Sequence, residues 1–564
     1  MGFGEAAQVS HGPFLDRRAF SAALLAAGGC VGGGLKPGPK ASLADAHTHM
    51  FNVADLPVEG FLRYVVARRY FAEPPSWLPA LISLFTRLYK PAAITAQHEL
   101  ALITSGKSVP ADWGPKRFAA ETAAFIETGA RSGPTVAGDS DRATRESFEA
   151  LGRALSRLDA SGIASRELSL SLDAGAMRRA LARIASGTEY GDARSDEART
   201  LLAAEAQGIG ELVRLLAWGH LLLQSRSSHL ASYIRDFGGR GRKPALVVAL
   251  LVDYDAWLDD EPAPGSDQMA QISVMHALGH RAAAFRPAIQ VATFAGYCPL
   301  RHALELARGV TTTFERLQAE WTAGRIAGFK LYPPMGYKAS GNAMLADVEF
   351  DPRQPGRVTA LDRWSDVGAG RELGSALDEA LDLFLAWCGT ESVPIVAHGG
   401  PGNGAGPRYG ERADPAHWEA PAARHGLRLS IGHLVDEAKP FVNAVSAGRR
   451  PPEVWALHAP VRMLDLRLSG RGEVYGDLSY MPELAGDRAL AREFFSALTT
   501  VFGPGDPALS RIVYATDWVM LGMEPRARRF ADAVMRGMAD AQWSDVQIEN
   551  VMSANARRLI RRGP

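Results

Sequence analysis

At 564 residues the chain is too long for a single hydrophobic core, so a large domain with a substantial insertion, or a second domain, is expected. A hydrophobic fraction of 47% beside 22% charged residues describes an ordinary soluble globular protein. The formal net charge is zero, which removes any broad electrostatic case for nucleic acid or an anionic membrane and leaves a small molecule as the expected partner.

Residues 1–30 read as an export signal. Between 13 and 30 a charged segment runs into an apolar one too short to span a bilayer. Arg17-Arg18-Ala19-Phe20 is similar to a twin-arginine signal, which exports proteins already folded, and Ala27-Gly28-Gly29-Cys30 resembles a lipoprotein cleavage box. Ala27 stands where such boxes usually carry leucine, so export is a firmer expectation than a lipid anchor at Cys30. The competing reading is a plain disordered or amphipathic N-terminus. Residues 31–42 have the glycine and proline content of a flexible linker, and the domain should begin near Ser42. The protein is therefore expected in the cell envelope or periplasm of a bacterium, touching membrane only through that anchor. Nothing in the chain speaks to its oligomeric state.

Residues 43–54 should form a first strand. His47 and His49 stand two apart, and strand side chains alternate with a period of two, so both imidazoles are expected on one face, able to grip one divalent metal. From 55 to 244 the pattern turns helical, with apolar residues at three and four spacing over 147–158, 174–184, 196–224 and 227–237. This reads as a helical insertion that should wall or cover the metal. Its His98, His220 and His229 read as packing or surface residues.

From 245 to 560 apolar runs alternate with helical stretches. Strands are expected over 245–253, 289–297, 324–334, 393–398, 427–433, 474–480 and 511–517, with helices over 268–285 and 300–308. Near-continuous apolar runs suit parallel strands buried on both faces. Eight of them argue for an α/β fold, a (β/α)8 TIM-like barrel. Cys298 and Cys388 lie far apart in apolar surroundings and read as core residues, neither a disulfide scaffold nor a cysteine zinc site.

Three of the later runs end on a ligand-type residue: His398, His433 and Asp517. A fourth carries Lys330 inside it. The order His-x-His, Lys, His, His, Asp resembles the amidohydrolase superfamily of metal-dependent hydrolases, whose ligands sit at the C-terminal ends of barrel strands. Phe329-Lys330-Leu331-Tyr332-Pro333 and Pro401-Gly402-Asn403-Gly404 look like the branch that includes amidohydrolases and metal-dependent decarboxylases. The tail over 550–559 is similar to the closing helix of these proteins. The resemblance does not extend to residues 55–244.

The resemblance implies His47, His49, Lys330, His398, His433 and Asp517 as the metal set, holding one or two divalent ions per chain. Imidazole nitrogen with carboxylate oxygen suits zinc, with manganese or iron as rivals. It also implies Asp517 as the proton shuttle of a metal-activated water. His433 would bind a second metal or polarise the substrate carbonyl. Lys330 would be either a carbamate bridging two metals or an ammonium that binds a substrate carboxylate. Arg408, Tyr409 and Trp418 follow His398 and could contact an anionic or aromatic substrate; a surface loop with a packed tryptophan is the alternative. Arg301 and Asp477 are weaker candidates. The expected activity is hydrolysis of an amide, cyclic amide or lactone-like bond. A non-oxidative decarboxylase of a small carboxylic acid is the enzymatic alternative, and an exported ligand-binding lipoprotein without catalysis the other.

Overall fold

The computed structural model describes residues 42–563 apart from 71–73, 110–113, 133–140, 162–211, 213, 214, 217, 238–243, 259–263, 286, 353–356, 401, 403, 449–471, 523 and 525. Arg17, Arg18, Cys30 and the linker lie outside the described residues, as does the helix expected over 174–184.

Eight parallel strands pair in sequence order: β1 Leu43–His49, β2 Pro244–Leu250, β3 Gln290–Gly296, β4 Gly328–Leu331, β5 Pro394–His398, β6 Arg428–Gly432, β7 Glu473–Asp477 and β8 Ile512–Val513. This is the expected (β/α)8 barrel. The strand expected over 324–334 shrinks to four residues, and the one over 511–517 to two. Beyond β8 the backbone still closes the ring: Ala46 N donates to Tyr514 O at 3.0 Å and Asp517 N to His47 O at 2.7 Å.

The barrel interior is filled from alternate positions, as its period of two requires: Ala44 and Ala46, Leu246, Val248 and Leu250, Ala292 and Phe294, Val396, Tyr475 and Val513. The helix Asn555–Leu559 supplies Ala556 and Leu559 to this cluster. Gly328 opens β4 because a Cβ there would lie 2.5 Å from Pro394 O and from the Phe294 ring.

Among the described residues between β1 and β2, every regular element is helical. Label α1 Ala96–Thr104, α2 Pro115–Ser132, α3 Asp141–Ser161 and α4 Arg226–Phe237. Fully buried Arg226, at the start of α4, ties this layer to the barrel. Its guanidinium reaches Glu99 of α1 at 2.9 Å and also Asp55, just past β1. The backbone amides of Ser227 and Asn52 donate to the Glu99 and Asp55 carboxylates as well, so both buried acids are partnered beyond the guanidinium. His229 of α4 donates from Nε2 to Leu221 O at 2.8 Å and sets its ring edge-on to Trp518. Cys298 and Cys388 are buried free thiols. No described helix is long and apolar enough to cross a membrane.

Candidate metal centre

The phase of β1 decides whether the two histidines can act together. Ala44 and Ala46 point into the barrel, so strict alternation would send His47 and His49 outward. The pairing of β1 with β2 shifts register between Asp45 and Thr48. Such an irregularity re-aims the side chains beyond it, and His47 consequently meets Lys330 and Asp477 inside the barrel mouth. The two imidazoles do share a face, with centroids 5.3 Å apart, but the bulge puts that face on the site. Asp45, left outward, accepts hydrogen bonds from Thr516 Oγ1 at 2.6 Å and Tyr233 of α4 at 2.7 Å.

Each ring is held by one nitrogen and offers the other. His47 Nδ1 lies 2.8 Å from Asp477 Oδ2, and His49 Nδ1 lies 2.9 Å from Leu250 O. A carbonyl can only accept, so the His49 proton sits on Nδ1 and its Nε2 lone pair is free to ligate; the Asp477 carboxylate likewise holds the His47 proton on Nδ1, and the His47 Nε2 lone pair faces Lys330 Nζ. His49 Nε2 stands 3.4 Å from Asp517 Oδ1, about the edge of a tetrahedron around an ion with 2.0–2.1 Å bonds. Ligand atoms of His47, His49 and Asp517 all lie within 4.8 Å of one another.

The remaining strand-end residues close around this group. His433 Nε2 is 3.9 Å from Asp517 Oδ2, and its ring lies 4.5 Å from that of His398 and 5.2 Å from that of His47. Both His433 and Asp517 adopt left-handed backbone, with φ of 52° each. That conformation is costly for a side-chain-bearing residue and is found where surrounding structure over-determines it. For His433 the holding group is Asp477, whose Oδ1 accepts from the His433 amide at 3.0 Å and from Ser479 Oγ at 2.6 Å. One carboxylate thus orients His47 and the turn that carries His433. Lys330 is buried on β4, its Nζ 3.1 Å from His47 Nε2.

The electrostatics favour a cation. Burial pushes His47, His49 and His398 well below the usual imidazole pKa, and His433 down to about 4, so all four are neutral and able to ligate. Burial raises Asp517 to about 7 against the pull of Lys330, and lowers Lys330 to about 8. His398 Nε2 and Asp517 Oδ1 are buried with no hydrogen-bond partner among the described residues. Buried polar atoms left unpaired cost on the order of 1–3 kcal/mol each, and a divalent ion would satisfy both kinds. The donor set therefore fits a divalent metal. Gly402 packs against His398 so closely that a Cβ would lie 2.3 Å from Nε2.

The group opens into a cavity of about 330 Å³. Phe61 and Trp218 of the helical insertion line it opposite His49, His398, His433 and Asp517, so the insertion does wall the site. Arg408, Tyr409 and Trp418 lie elsewhere. Arg408 is exposed and pairs with Glu411, while Tyr409 and Trp418 are buried in the core, and none of the three lines the cavity. Arg301 pairs with Asp253 at 2.7 Å and does not line the cavity. Of the insertion histidines, none lines the cavity. Asp477 matters more than its bare position in the sequence suggested; the signal there was an acid inside the seventh expected strand, which the structure ends at that residue.

No protein-family profile, curated protein or solved structure matches this chain.

Proposed function

We propose that the protein is a metal-dependent hydrolase of the amidohydrolase type, cleaving an amide, cyclic amide or lactone-like bond. The observation that carries this reading is the convergence of His47, His49 and Asp517 at strand ends, with an unpaired Asp517 oxygen and an unpaired His398 nitrogen beside them. His47, His49 and Asp517 would hold the ion, zinc before manganese or iron, with His398 and His433 completing the set. A divalent ion in this group supplies Lewis-acid polarisation of a carbonyl and acidification of water.

The chain's own residues do the rest. Asp477 and Leu250 O fix the tautomers of His47 and His49 so that both present lone pairs. Asp517 takes and returns a proton at a carboxylate oxygen, which burial makes basic for its type. Ser479 Oγ gives its proton to Asp477, so it accepts from His433 Nδ1 at 3.0 Å, and the His433 Nε2 lone pair is left to join the ion. Phe61, Trp218 and the other aromatic walls exclude water from the bond being cleaved.

Decarboxylation of a small acid is the second reading: the ion would hold the substrate carboxylate, and carbon dioxide released with no hydrolysed bond would select it. The test is His47→Ala. Metal content by elemental analysis should fall to a residue and hydrolysis of a panel of amides and lactones should be lost, with the circular dichroism of the fold retained. A variant with full metal content and turnover would sink the reading.

A further inference from the structure

We infer that the barrel carries a second binding site, at the end opposite the candidate metal centre, and that it takes a phosphate-type anion. The inference does not rest on the hydrolase reading.

The site is a cavity of about 730 Å³ among the N-terminal strand ends. Ala245 near the start of β2, Gln290 at the start of β3 and Ala327 just before β4 line it, whereas His49 and His398 close their strands at the other end. A strand of seven residues, roughly 20 Å long, separates the two. That is about twice the distance over which salt screens a charge, so an ion in the barrel mouth weighs little on the balance here.

Charge singles this cavity out. Arg325, Arg557, Arg561 and Arg562 line it, and no aspartate or glutamate does among the described residues. Two acids reach these guanidiniums from outside the lining: Glu320 pairs with Arg325 at 2.7 Å, and Glu473 lies 3.1 Å from Arg561. Glu473 is shared, since Arg428 lies 3.0 Å from it and Arg511 3.8 Å. Arg557 and Arg562 meet neutral acceptors instead. Arg557 Nε donates to Ser553 Oγ at 3.4 Å, and Arg562 donates to the carbonyls of Trp321 and Ile326 at 2.7 and 3.0 Å. Positive charge therefore exceeds negative around one concavity. The side chains are also reachable, Arg325 being 40% exposed and Arg561 46%.

His276 and His280 stand one helical turn apart in the same lining, with Nε2 atoms 3.0 Å apart. Such a pair suits a dication, but the guanidiniums in the cavity oppose one. Their field is felt at the ring: burial, then His280 and Arg325, hold His276 below the usual imidazole range against the pull of Glu320. An oxyanion is instead drawn to the arginines and can accept from an imidazole N–H. Guanidinium forks match the oxygens of a phosphate, and such charge-assisted bonds are roughly twice as strong as neutral ones. Ala283, Ile289, Val291 and Ile560 add apolar lining for the organic part of a phosphate ester or a phospholipid headgroup.

The experiment uses the full chain as purified and probes those two sources separately. Phenyl phosphate, with phenol as its neutral control, is followed by calorimetry, and vesicles of phosphatidylglycerol, against phosphatidylcholine, by co-sedimentation. Phenyl phosphate binding assigns a soluble ester; phosphatidylglycerol binding alone assigns a headgroup. In either case Arg325→Gln/Arg557→Gln should weaken binding about tenfold or more, and Arg325→Lys/Arg557→Lys, which keeps both charges, should restore most of it. Arg408→Gln, at an exposed arginine elsewhere, and His47→Ala, in the metal group, should leave binding unchanged. The inference is overturned if neither source binds, if phenol or phosphatidylcholine binds as well as its anionic counterpart, or if Arg408→Gln costs as much as the double variant. A response lost in His47→Ala but kept in Arg325→Gln/Arg557→Gln would place the anion at the barrel mouth and overturn it too.

Discussion

Lys330 concentrates the chemistry of the site into one atom. Its Nζ lies 3.1 Å from His47 Nε2, the nitrogen a metal would use, so an ammonium there and a dication at His47 exclude one another. Either the amine is displaced or it loses its charge. Burial already lowers its pKa to about 8, which enlarges the neutral fraction that can react with carbon dioxide to form a carbamate. If the carbamate forms, wild type holds two metals per chain and Lys330→Ala loses at least one with most of its activity; one metal per chain in active wild type would defeat it. Asp477 is the other decisive residue. Asp477→Asn keeps the shape but weakens the bonds to His47 Nδ1 and the His433 amide, and outer partners of metal-bound histidine are worth about 10–100-fold in affinity. Competition with a chelating dye should show a loss in that range, and an unchanged affinity would remove Asp477 from the site's support.

At the level of elements, what a sequence declares is periodicity, and what it conceals is contact. The apolar runs of β2, β3, β5 and β6 are legible because parallel barrel strands are buried on both faces, and the strand-end candidate ligands are legible because barrel sites gather there. The irregularity in β1 is not, since nothing in Asp45-Ala46-His47-Thr48 announces a shift set by pairing with β2. Arg408 and Trp418 misled because closeness to His398 in the chain is not closeness in space. The 3-10 turns Tyr409–Ala413 and Pro415–Trp418 carry them outward or into the core. Trp218 could not be picked from its helical surroundings either, since its place at the cavity depends on how the insertion folds back. That packing can be tested through His229 of α4. Burial lowers its pKa from 6.5 to about 4, so it is neutral when folded but takes a proton near pH 6.5 when unfolded. Its contribution is fully present above pH 6.5 and is lost as pH falls towards 4. His229→Gln can still donate to Leu221 O without titrating, so between pH 7 and 5 urea unfolding should cost wild type about 2 kcal/mol more than the variant. Equal losses in both would mean the ring is not buried as described.

Across the whole molecule, the metal group lies on the seam where the barrel closes. His47 and His49 come from the first strand and Asp517 from just beyond the last, and β8 itself is only two residues long. Its short ladder to β7 is supplemented by Asp517 N to His47 O, by Ala46 N to Tyr514 O and by Asp45 bridging to Thr516. An ion bound by both ends would cross-link positions 470 residues apart (517 − 47) in the folded state. The unfolded chain offers no such preformed group, so binding energy becomes folding energy. At free metal a hundred times the dissociation constant, the gain is about 3 kcal/mol. Stripping the protein with chelator should therefore lower its unfolding midpoint, and restoring the ion should return it. The same treatment should leave His47→Ala and Asp517→Ala unmoved, because each has lost one side of the seam. The effect should also appear locally: amide exchange in β1 and in the Tyr514–Asp517 segment should quicken on chelation more than in β3, which contributes none of His47, His49 and Asp517. Identical midpoints and uniform exchange with and without metal would show that the barrel closes on hydrogen bonds alone.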